Sequence, residues 1–102
     1  MNSIITDNRE ELLKLCKKFR VKRLDIFGSA VGDKFDPETS DLDFLVTFEE
    51  LKRGEYADTY FGLLEALREL FSRHIDLVSE SAINNPYFRE SVEESRILLY
   101  AA

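Results

Sequence analysis

Asp41 and Asp43 stand two residues apart at the head of an apolar run, Leu42-Asp43-Phe44-Leu45-Val46. On a strand that spacing points both carboxylates to the same face, forming a claw. Two neighbouring carboxylates repel each other, and a divalent cation relieves that cost. Mg²⁺ favours a few carboxylates plus substrate phosphates over a cage made wholly of protein. Upstream, another apolar run ends in Gly28-Ser29, and the eleven residues from Ala30 to Ser40 separate this pair from Asp41. A glycine allows close backbone approach to a phosphate, or a positive φ. The Ser29 hydroxyl and the amides of a following turn can form an anion-binding concavity. A third acid, Asp76, lies in His74-Ile75-Asp76-Leu77-Val78. A carboxylate in so apolar a run needs a partner, a metal or solvent. A phosphate-holding turn beside a carboxylate claw is equipment for metal-assisted phosphoryl transfer.

Hydrophobic periodicity defines the elements that must carry these groups. Asp7 is placed to N-cap a helix from about Asn8 to Phe19, with Glu10 completing a capping box. Leu12, Leu15, Cys16 and Phe19 supply its apolar face. Lys22 to Phe27 reads as a first strand, followed by a short helical turn from Ser29 to Gly32 and a loop, Asp33–Ser40, containing Pro37. Leu42 to Phe48 is the clearest strand. Leu42, Phe44, Val46 and Phe48 face the core, while Asp43, Leu45 and Thr47 face away on the side of Asp41. Glu55 to Phe71 forms an amphipathic helix, with Tyr56, Tyr60 and Phe61 read as helix core, any exposed member among them being an interface anchor instead. A third strand, His74 to Ser79, and a last helix, Tyr87 to Tyr100, complete the chain. Alternation alone suggests a doubly wound parallel sheet. The first two strands, however, are joined by only roughly fourteen residues, which does not secure a crossover.

A chain of 102 residues is expected to form one domain, 1–102. With 20 acidic against 14 basic residues and a net charge of −6, it lacks the basic surface of a nucleic-acid binder. A nucleotide site remains compatible, because bound Mg²⁺ supplies positive charge locally. No apolar run approaches the length of a membrane span, and the N-terminal sequence lacks a secretory pattern. Cys16, the single cysteine, recurs with the apolar face of the first helix and is expected to be a buried core thiol in a reducing cytoplasm. The single histidine, His74, excludes a histidine-based triad or zinc cluster. It shares a strand face with Asp76 and reads as a surface residue at the strand start. The basic run Lys17, Lys18, Arg20, Lys22 and Arg23 reads as a solvated helix end.

The order Gly28-Ser29, then Asp41-x-Asp43, then Asp76 resembles the signature of the DNA polymerase β-like nucleotidyltransferases. In its length the chain looks like their minimal branch, whose members are commonly encoded beside a HEPN-domain partner as an antitoxin. The likeness also takes in Tyr56-Ala57-Asp58 and Asn85-Pro86-Tyr87-Phe88-Arg89. It implies an α+β, two-layer nucleotidyltransferase fold: a mixed three-stranded sheet of order 1-2-3 with about four helices. It further implies Mg²⁺-dependent transfer of AMP from ATP to a tyrosine hydroxyl of a cognate HEPN toxin. In that scheme Gly28 and Ser29 bind nucleotide, and Asp41 and Asp43 hold the triphosphate-bound ion. Asp76 joins them on a second Mg²⁺ and accepts the hydroxyl proton. The expected partners are the HEPN toxin and a nucleoside triphosphate in the cytoplasm, without nucleic acid or membrane. The oligomeric state stays open between homodimer and hetero-oligomer. Many members carry an arginine two or three residues after the Gly-Ser, whereas here Ala30, Val31, Gly32 and Asp33 follow. A cation for the triphosphate must come from elsewhere, such as Lys34, or be missing. Two other readings stay open: a non-catalytic antitoxin acting by occlusion, and a small-molecule nucleotidyltransferase working as a homodimer.

Overall fold

A computed structural model describes residues 3–32, 36 and 40–102. The expected loop 33–40 and Lys34 therefore lie largely or wholly outside the described residues. Four helices, α1 (Ser3–Asp7), α2 (Arg9–Lys18), α3 (Tyr56–Phe71) and α4 (Pro86–Ser95), accompany four strands. The strands are β1 (Val21–Phe27), β2 (Leu42–Phe48), β3 (Ile75–Ser79) and β4 (Ile97–Ala101), in the spatial order β3-β2-β1-β4. β1 is antiparallel to β2 and β4, whereas β2 and β3 are parallel. This mixed sheet removes the crossover difficulty. The short β1–β2 connection only reverses the chain, and the one parallel pair is bridged by the 16 residues of α3.

One sheet face supplies Leu24, Ile26, Leu42, Phe44 and Val46 to a core closed by Leu12, Cys16, Leu63, Leu67 and Phe71 of α2 and α3. Burial pushes the Cys16 thiol up to about 12, so it is an inert core group. The opposite face is only partly covered. There α4 places Val92 on Phe27 and Leu45.

Two expectations need correction. The last helix ends at Ser95, and Ile97–Ala101 becomes a fourth strand on β1 rather than a helix reaching Tyr100. Without it β1 would be an exposed edge, and as a strand it still buries Leu99 in the core. The N-terminal helix is broken at Asn8, whose side chain donates to the Ile4 carbonyl at 2.8 Å. The capping box at Asp7 does not form, because Asp7 ends α1, which buries Ile5.

Beneath α4 lies an ionic network with no counterpart in the hydrophobic pattern. Asp25 of β1 is fully buried and accepts from Arg23 at 2.9 Å and from Arg96. Arg96 also donates to Glu80 at 3.0 Å and Glu93 at 2.6 Å, and the Arg96 hydrogen bond is the largest influence holding Glu80 below the usual carboxylate range. Arg96→Met leaves Asp25 buried with only Arg23 for a partner. It is expected to cost about 3 kcal/mol of unfolding free energy, read from the denaturant midpoint. The double change Asp25→Leu with Arg96→Met recovers most of that loss, because no buried charge remains.

Candidate active site

The parallel register places Asp43 directly opposite Asp76 and Leu42 opposite Ile75. One rung further out, the Leu42 amide donates to the His74 carbonyl at 3.4 Å, which sets Asp41 beside His74. Alternation along each strand then puts Asp41, Asp43, His74 and Asp76 on one open face. Ligating atoms of Asp41, His74 and Asp76 all lie within 4.8 Å of one another. His74 Nε2 is 3.1 Å from Asp76 Oδ1. Arg73 donates to the Ser40 carbonyl at 3.1 Å and ties the entrance of β2 to that of β3.

Burial raises the Asp43 carboxyl to about 6, helped by its hydrogen bond to Asp76 and the charges of Asp76 and Asp41 and opposed by His74. Asp43 thus keeps its proton well into the mildly acidic range. Because the folded value lies above the unfolded one, this stability is complete below about pH 4 and disappears as pH rises through about 6. Metal-free protein is expected to lose about 1–2 kcal/mol across that window after allowance for solvent screening. Denaturant midpoints from pH 4 to 7.5 check this, and Asp43→Asn is expected to remove that part of the pH dependence.

Phe27 pairs with Asp43, so the chain leaves β1 for Gly28-Ser29 alongside the claw. Gly28 has a φ of +73°, and a Cβ there would lie 2.5 Å from Asp43 Oδ2. Glycine is required twice at this position, once for its backbone and once for the carboxylate beside it. The Gly28 amide donates to Ser95 Oγ of α4 at 3.0 Å. Ser29 lies exposed in the 3₁₀ turn Gly28–Val31.

A cleft of about 420 Å³ opens beside Asp43 and Asp76, walled by Phe27, Phe88 and Tyr60 and bordered by His74. It also contains Arg68, an exposed cation of α3. Sequence reasoning did not find Arg68, because its helical position reads only as a solvated face. An apolar groove of about 470 Å³ adjoins the cleft and shares Tyr60, Leu77 and Val78 with it. Tyr56 and Phe61 border this groove, 42% and 61% exposed, instead of filling the helix core as expected. The Tyr60 hydroxyl donates to the Leu77 carbonyl, fastening α3 along the free edge of β3.

A mixed sheet with two acids at the head of one strand, a third on its parallel neighbour and a Gly-Ser turn alongside defines a class: enzymes that transfer nucleotidyl groups. The family described as "Nucleotidyltransferase domain" matches residues 9–99, and the chain belongs to it. A Methanocaldococcus jannaschii protein, MJ0128, provisionally named a protein adenylyltransferase, is 38% identical over 93 residues, spanning 91% of this chain and 89% of that protein. The solved structure of a protein provisionally described as a minimal nucleotidyltransferase superposes with a TM-score of 0.74 at 34% identity, covering 95% of both chains. The fold is also that of a chain in the complex of tri-AMPylated Shewanella oneidensis HEPN toxin with MNT antitoxin. There the TM-score is 0.65 at 16% identity, over 95% of this chain and 72% of that one. The protein is a nucleotidyltransferase. Among the described residues, no helix is long and apolar enough to cross a membrane.

Proposed function

We propose that this protein uses Mg²⁺ to transfer AMP from ATP to a tyrosine hydroxyl of a HEPN toxin, and so acts as an antitoxin in the cytoplasm. The observation that carries this reading is the convergence of Asp41, Asp43 and Asp76 on one open face beside Gly28-Ser29. The name of the M. jannaschii relative supports a protein acceptor, and the AMPylated toxin bound to the S. oneidensis antitoxin supports the kind of acceptor.

The residues present fit a hard divalent cation. Burial and the charges of Asp76 and Asp41 disfavour the ionised Asp43 carboxylate, a cost that a cation relieves, and the oxygens of these acids are the donors Mg²⁺ prefers. Asp41 and Asp43 would hold the ion that accompanies the triphosphate, and all three acids would hold a second. Bound there, Mg²⁺ supplies charge neutralisation for the phosphates and acidifies the acceptor hydroxyl. Ser29 and the amides of its turn bind phosphate oxygens, and Arg68 offers the cation that does not follow the Gly-Ser. Asp76 takes the proton as the tyrosine oxygen bonds to the α-phosphorus and the bond to pyrophosphate breaks. The apolar groove beside Tyr56 and Phe61 gives the toxin polypeptide a surface continuous with the cleft.

Incubation with labelled ATP, Mg²⁺ and the HEPN protein encoded alongside, followed by intact-mass measurement, tests the proposal. One or more added AMP units are expected. Tight binding with no change of mass would select neutralisation by occlusion instead. Gly28→Val drives a side chain into Asp43 and is expected to weaken MgATP binding at least about tenfold while sparing partner capture. Equal loss of both in calorimetry would trace the effect to a damaged fold.

A further inference from the structure

Among the described residues, the open face gathers Asp41, Asp43 and Asp76 with one further donor side chain, that of His74. His74 occupies the fourth corner, opposite Asp41 and next to Asp76 along the strand. Its Nε2 lies 3.1 Å from Asp76 Oδ1, and the donors of Asp41, His74 and Asp76 fall within 4.8 Å of one another. Two donors each bonded at about 2.1 Å to one octahedral ion, at right angles, stand about 3.0 Å apart. The His74–Asp76 separation therefore matches a shared ion as well as it matches a hydrogen bond. The His74 side chain is 56% exposed, so its ring nitrogen is accessible to an ion from solvent.

We infer that His74 is a nitrogen ligand to the ion held by Asp41 and Asp76, giving that position a His-Asp-Asp donor set that selects Mn²⁺ over Mg²⁺. Imidazole suits first-row transition ions and carboxylate suits Mn²⁺, whereas Mg²⁺ takes oxygen almost exclusively. The Asp41–Asp43 position keeps its all-oxygen character and its preference for Mg²⁺. The inference rests on the proposed role of these acids as metal holders, but not on the identity of the acceptor.

The chain has one histidine, so histidine-selective ¹⁵N labelling of tag-free protein marks His74 alone. Mn²⁺ is added to the full chain without nucleotide, which keeps adenine nitrogens out of the measurement, and pulsed electron paramagnetic resonance is recorded. A ¹⁵N coupling to bound Mn²⁺ is expected in the wild type and absent in His74→Gln. Calorimetry of the same pair is expected to show Mn²⁺ affinity falling about 10–100-fold in the variant, with Mg²⁺ affinity held within about threefold. Bound Mn²⁺ without ¹⁵N coupling, or equal losses for the two ions, would overturn the inference and leave His74 a hydrogen-bond partner of Asp76. Failure of AMP transfer is read separately by mass. A protein that couples Mn²⁺ to His74 but adenylylates nothing keeps this inference and loses the proposed function. One that adenylylates its partner without the coupling does the reverse.

Discussion

Asp41→Asn combined with Asp43→Asn is expected to abolish AMP transfer while leaving a folded, slightly more stable protein. Both substitutions keep side-chain shape and remove charge from two neighbouring groups, one just before β2 and one within it. Charge stabilisation by a bound metal is worth several kcal/mol, so the rate is expected to fall by at least about 10³-fold. Stability moves the other way. Asp43 ionises in the metal-free protein against its own burial and against Asp76 and Asp41. Removing that repulsion is expected to add about 1 kcal/mol at pH 7, a rise in Tm of roughly 4–8 °C for a domain of this size. Intact-mass assay and thermal unfolding without metal measure the two effects. Transfer at near wild-type rate would show that the metal is held elsewhere.

Asp76→Asn is expected to separate chemistry from nucleotide binding. Asp41 and Asp43 remain to hold the ion of MgATP, so affinity is expected to stay within a few fold. The proton acceptor and a share of the second ion's ligands are lost, and transfer is expected to fall by roughly 10²-fold or more. Calorimetry with MgATP and the intact-mass assay together give the split. Collapse of both would put Asp76 in the nucleotide-gripping site. No change in either would make it a structural residue of β3.

The candidate residues were legible because their signals are local. Two acids two apart on a strand must share a face, whatever else the chain does, and a Gly-Ser closing an apolar run marks a turn. The period-2 pattern of Leu42–Phe48 and the helical pattern through Leu63, Leu64 and Leu67 likewise depend only on near neighbours, and both elements form where their patterns place them. Ile97–Ala101 was different. Its apolar residues satisfy a helix or a strand equally, and only the open edge of β1 decides for a strand.

By itself the sequence determined which residues could do chemistry and where the main strands and helices run, since both follow from residue type and short-range spacing. The mixed sheet was implied only by the family likeness, alternation alone suggesting a parallel one. Tertiary structure alone decided what those residues meet. It set Asp43 against Asp76 and under Gly28, brought His74 to the corner beside Asp41, and turned Arg68 into the cleft. It also paired Asp25 with Arg96 under α4. Each of these contacts joins distant parts of the chain. Their register is fixed by how the whole core packs and by the need to satisfy buried charge and strand edges together, conditions that no single stretch of sequence encodes.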